Sequence, residues 1–193
     1  GRVPGARLVV QVDEPSLPAV LAGRVPTPSG YGTVRAVEAE TAERVLRSVL
    51  DAAPDGARVV HCCAPDAPIG LLRTVGANAI AVDAQRLGRR DYDALGEATD
   101  GGVALWLGIV PATGERADAR GAHDAVRRLW SDLGFEAAAL ASAVVLTPNC
   151  GLAGASPEYT RRVFEALRDV SARLRDPDAH DPDAHDPDAH DPD

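Results

Sequence analysis

RVVHCC (58–63) and AVVLTPNC (143–150) are two apolar runs that end on soft metal ligands and then meet Pro or Gly. A β-branched run that stops abruptly on such side chains is how a parallel α/β sheet presents chemistry at its strand ends. Around these two runs, strand-like and helix-like segments alternate. Short runs rich in Val, Leu, Ile and Ala predict strands at 7–12, 58–63, 79–83, 103–110 and 143–147. Without strict in/out alternation, they are expected to be buried on both faces. Helices are predicted at 37–52, 69–75, 92–99, 122–134 and 157–174. In the last of these Ser156 stands as N-cap, Pro157 takes the first helical position, and Val163, Leu167, Val170 and Leu174 recur at helical spacing.

Five βα repeats fit either an open doubly wound sheet or part of an eight-stranded barrel. The first strand is followed by QVDEPSLP (11–18) instead of a Gly-rich phosphate turn, and neither G-x-G-x-x-G nor G-x-x-x-x-G-K occurs. Polar residues instead gather at carboxyl ends of strands: Asp13 and Glu14, His61 and Cys63, Asp83, and Cys150. That distribution selects an α/β fold of the (β/α)8 TIM-barrel type, with five βα units over residues 1–175.

The charge of −9 is unevenly placed. Eight aspartates lie in the repeat DPDAHDPDAHDPDAHDPD (176–193), which leaves −1 for residues 1–175. A proline in every repeat unit and no apolar face predict a disordered acidic tail without a catalytic role. No basic surplus remains to follow a phosphate backbone, and 4% aromatics are too few for base stacking, so nucleic acid is not an expected partner. No run approaches the roughly 18 apolar residues of a membrane helix, and no secretory h-region occurs. A soluble cytoplasmic protein with reduced thiols is expected, since three cysteines, two of them adjacent, make a poor disulfide framework. The absence of methionine and the opening Gly1 suggest a processed chain or a piece of a longer one.

Side chains alternate along a strand, so His61 and Cys63 share one face of theirs while Cys62 takes the other. Cys150 would complete a His/Cys/Cys set, with a carboxylate or a substrate in the fourth position. From these residues alone, the cysteines could equally be small buried hydrophobes. His123 is expected at the surface or in a cap, Trp106 and Trp130 in packing, and the Pro- and Gly-rich stretch 23–34 as an irregular loop beside the site.

QVDEPSL (11–17), HCC (61–63), AIAVDA (79–84) and PNCGLAG (148–154) together resemble, in order and approximate spacing, the C-terminal catalytic barrel of cobalamin-independent methionine synthase. The resemblance covers roughly residues 7–174. It implies that His61, Cys63 and Cys150 are zinc ligands, with Asp83 in the place of the family's glutamate ligand. It also implies that Asp13 binds the ammonium group of homocysteine; it assigns no catalytic residue. The implied reaction moves a methyl group, from 5-methyltetrahydrofolate, to the thiol of homocysteine to give methionine. In LGIVPAT (107–113), Ile109 falls where the family has a histidine acid. That departure keeps three alternatives open: a methylcorrinoid protein as donor, another thiol acceptor, or a non-catalytic relative with a structural zinc. The resemblance also implies that the first strands of the barrel lie before Gly1, so that these residues alone would be inactive and poorly stable.

Overall fold

The computed structural model describes residues 4–53, 56–114 and 116–176; the acidic repeat beyond Asp176 and its expected disorder lie outside them. Five strands form one parallel sheet: β1 (Val9–Asp13), β2 (Ala57–Cys62), β3 (Ala79–Asp83), β4 (Ala104–Val110) and β5 (Val144–Pro148). Helices α1 (Leu17–Leu21), α2 (Ala39–Asp51), α3 (Ile69–Thr74), α4 (Arg89–Asp100), α5 (Ala122–Asp132), α6 (Ala137–Ala143) and α7 (Pro157–Arg175) fill the connections. The five predicted strands and five predicted helices are all present, with ends shifted by up to three residues. The short α1 and the alanine-rich α6 are additions to that pattern, and α6 takes Ala143 from the predicted start of β5.

Strand order decides between the two closures. The sheet runs β1-β2-β3-β4-β5, each strand beside its predecessor and parallel to it. A doubly wound sheet reverses direction partway and places helices on both faces, whereas right-handed crossovers in unbroken order place every helix on one face. The core agrees. Val60 and Cys62, Ile80 and Val82, and Leu105 and Leu107 point into one apolar cluster with Leu46, Leu50, Leu72, Leu95, Val126, Val163 and Leu167 of the helices. The alternate residues Val59, Ala79 and Ala81 form a separate small cluster with Ala104 and Trp106 on the opposite, helix-free face. This is the winding of barrel βα units.

The expectation of strands buried on both faces needs correction at the edges. β3 is buried at all five positions, but β1 alternates exposed and half-buried residues, and Val9 and Val145 are 48% and 44% exposed. The helix-free faces of β1 and β5 lack covering elements among the described residues, which leaves exposed positions in the outer strands. His123 needs correction too: it is 1% exposed in the first turn of α5, with Nδ1 2.8 Å from Asp124 Oδ1. Trp106 and Trp130 pack as expected, and Trp130 Nε1 donates to Glu136 O at 2.9 Å. In the 23–34 loop an isolated antiparallel bridge joins Pro26 and Thr33. No helix among the described residues is long and apolar enough to cross a membrane.

At the start of α7, Ser156 Oγ accepts a hydrogen bond from Tyr159 N at 3.1 Å, and Tyr159 Oη donates to Pro111 O beyond β4 at 2.8 Å. The cap therefore fixes the helix that backs β4 and β5. Ser156→Ala is expected to cost about 1 kcal/mol of stability, read as a lower denaturation midpoint with an unchanged slope; an unchanged midpoint would mean that Pro157 and the Tyr159 contact suffice.

Candidate metal centre

β2 ends where its pattern changes. Val60 and Cys62 face the helices, while Val59 and His61 face the other way, and Cys63 is the next position on that inner side. Cys62 is fully buried among apolar side chains, and that burial pushes its thiol pKa up. It belongs to the core, as the alternation predicts. His61 is 8% exposed, and Cys63 is half-buried.

The third member arrives from the far side of the sheet. Cys150 follows β5 by two residues, and its Sγ lies 3.6 Å from Cys63 Sγ. Ligand atoms of His61, Cys63 and Cys150 all lie within 4.8 Å of one another. β2 and β5 are three strand spacings apart, roughly 14 Å in a flat sheet, so the ends can meet only because the sheet curls with its helix-free face inward. Curvature of that sense is what a barrel segment requires; these five strands do not close a ring.

One imidazole nitrogen and two thiol sulfurs converging at this distance suit a zinc-like ion, which takes such donors at about 2.0–2.3 Å in a tetrahedron. Three protein ligands leave a fourth position open. Burial first, then the hydrogen bond and charge of Cys150, push the Cys63 thiol up to about 11. Ligation needs the thiolate, so a metal taken up here would have to displace the Cys63 proton at neutral pH. Zinc affinity is therefore expected to climb with pH, by up to about tenfold per unit for each proton released. Competition against a chelating dye between about pH 6.5 and 8.5 checks this, and a flat profile would show that the thiolates exist before the metal arrives.

Asp13 ends β1 in register with His61, and Glu14 N donates to His61 O at 2.8 Å. The Asp13 carboxylate is exposed and accepts a hydrogen bond from Gln11 Nε2 at 2.8 Å. A negative charge thus stands on the strand beside the cluster, available to a cationic group.

Asp83 stands outside the three-residue cluster. It ends β3, is 6% exposed, and caps the short 3-10 turn Ala84–Arg86 by accepting from Gln85 N at 3.0 Å. Its other oxygen accepts from Arg86 Nε at 3.1 Å and from Asn149 Nδ2 at 3.4 Å. Asn149 is a site neighbour that sequence reasoning misses, as is Gly108 of β4, against which it packs. A Cβ on Gly108 would lie 2.4 Å from Asn149 Cα, so only glycine admits the chain there. The available signal is an isolated glycine inside an apolar strand run, which marks a close backbone approach. Ile109 is 5% exposed and belongs to the core, in an irregularity of the β4–β5 ladder between Gly108 and Val110.

A family model described as the catalytic domain of cobalamin-independent synthase matches residues 3–173. No curated protein matches the chain.

Proposed function

The chain belongs to the cobalamin-independent synthase catalytic-domain family, and on that footing we propose that it transfers a methyl group from 5-methyltetrahydrofolate to the thiol of homocysteine, at a zinc site held by His61, Cys63 and Cys150. The observation that carries this reading is the convergence of those three ligand groups within 4.8 Å from strand ends far apart in the chain. When bound, zinc supplies a Lewis acid that lowers the pKa of a substrate thiol, so that a nucleophile is present near neutral pH. His61 and the two cysteines fix where that thiol sits. Asp13, on the strand beside His61, holds the ammonium group of the amino acid by a charge-assisted contact. The engagement of the Asp83 carboxylate with Gln85, Arg86 and Asn149 favours leaving the fourth ligand position to substrate rather than to Asp83.

A second reading concerns the donor. A folate amine leaves poorly without a proton, and buried Ile109 offers none. This favours a methylcorrinoid donor, whose leaving group needs no acid. Cobalt-substituted protein tests the shared premise: adding homocysteine is expected to change the thiolate-to-metal absorption, and assays of methionine formation with each donor then separate the two readings. A metal-loaded protein whose spectrum responds to no thiol would mean that the site is structural.

A further inference from the structure

We infer that Asp83 and Asn149 form a positioning pair that holds Cys150 against Cys63, so that the metal site depends on a clamp joining the ends of β3, β4 and β5. The inference rests on the reading of His61, Cys63 and Cys150 as metal ligands. Its basis is how the segment after β5 is tied down. Asn149 N donates to Val110 O at 2.9 Å, and Asn149 Oδ1 accepts from Ala112 N at 2.9 Å. Those two bonds fasten the residue to the end of β4. The third, from Nδ2 to Asp83 Oδ2 at 3.4 Å, ties it to the end of β3. Gly108 provides the room, since any side chain there would collide with the Asn149 backbone.

Cys150 is the very next residue. It is exposed, and among the described residues its side chain has one hydrogen-bond partner, Cys63. Its placement is therefore inherited from Asn149. The residue types suit this role, because an amide donates to the carboxylate on one side and accepts from a backbone N–H on the other. An aspartate at 149 would bring two carboxylates together, and an alanine would leave Ala112 N without its partner and Asp83 Oδ2 with Arg86 alone. Asp83 is itself held from two further directions, by Gln85 N and by Arg86. A carboxylate this committed serves as an anchor. Residues that orient ligands typically change metal affinity by about 10–100-fold when lost.

The test uses the full chain with Asn149→Ala, Asp83→Ala, the double variant, and the exchange Asp83→Asn with Asn149→Asp, which restores an amide facing a carboxylate. Two quantities are read. One is zinc affinity by chelator competition, with the cobalt spectrum beside it. The other needs no metal: the rate at which hydrogen peroxide joins Cys63 to Cys150, a step in which two thiols lose two protons and two electrons to peroxide, which leaves as two waters. Each single variant is expected to weaken zinc by about 10–100-fold and to slow the cross-link several-fold. The double variant should be no worse than the weaker single, and the exchange, which restores the contact between 83 and 149 but sets an amide N–H against Arg86, should recover part of both. Wild-type affinity and cross-linking rate in Asn149→Ala would overturn the clamp. So would a cobalt spectrum altered by Asp83→Ala and untouched by Asn149→Ala, which would make Asp83 a ligand. If the unaltered chain takes up no metal, the metal reading fails, while the cross-linking rates still decide whether the pair positions Cys150. Should Asp83→Ala not fold, as circular dichroism would reveal, Asn149→Ala and the exchange variant carry the comparison.

Discussion

Cys150→Ser is expected to yield a folded chain without stoichiometric zinc. The substitution keeps the size of the side chain and removes its chemistry: a serine hydroxyl is a poor soft-metal donor and stays protonated near neutral pH, whereas ligation needs a thiolate. Cys150 is exposed and makes its side-chain hydrogen bond only to Cys63 among the described residues, so the fold loses little. With two protein ligands left, the loss should exceed the roughly 100-fold typical of removing an outer-shell partner. Elemental analysis of protein purified in parallel checks this: about one metal per unaltered chain, near zero in the variant, and the same thermal melt for both in the absence of metal. Stoichiometric zinc in the variant would mean that Cys150 is not a ligand and that the 3.6 Å sulfur contact is incidental.

Gly108→Ala is expected to be the most damaging single methyl that can be added near the site. The new Cβ would lie 2.4 Å from Asn149 Cα, 3.0 Å from its Cβ and 3.1 Å from its N. These are atoms of a backbone fixed to Val110 and Ala112, with no flexible end to swing aside. Either β4 and the segment after β5 separate, or the segment leaves its hydrogen bonds. Overpacking of this kind costs about 1–3 kcal/mol, to which the lost bonds add about 1 kcal/mol each. A fall in the denaturation midpoint together with a loss of zinc affinity is the expected result. Gly70→Ala, where an added Cβ has open space, is the control. A Gly108→Ala chain as stable as the control would mean that the β4–β5 junction yields easily.

The parallel sheet is legible in the sequence because β3 and β4 carry continuous apolar runs, and β3 is bounded to the residue. Barrel winding is legible only indirectly, through polar residues at strand ends; strand order makes it explicit. The His61, Cys63 and Cys150 cluster follows from period-two alternation plus a resemblance, since nothing in a single sequence brings residues 87 apart together. What escapes reading shares one cause. Asn149, Gly108 and the commitment of Asp83 all depend on contacts between neighbouring strand ends, which no local periodicity encodes. His123 departs from expectation because a histidine in a polar stretch looks exposed, while its position in the first turn of α5 turns it into the core. Helix α6 gives no signal because AAALASA carries one large apolar residue, Leu140, and so has no stripe to detect.

The unbroken order of the sheet also sets a sequence of events in time. From β2 onward each strand pairs with the one made just before it, so these units can form one after another as the chain leaves the ribosome, with little waiting for distant partners. The cluster is the exception: His61 and Cys63 are in place with β2, but Cys150 arrives only after β5 has docked and the sheet has curled. On the proposed metal reading, capture by all three thus waits for the docking of β5, and a chain stalled earlier would offer the ion two ligands and a weak hold. Time-resolved metal uptake during refolding would accordingly report the docking of β5 and none of the earlier pairings.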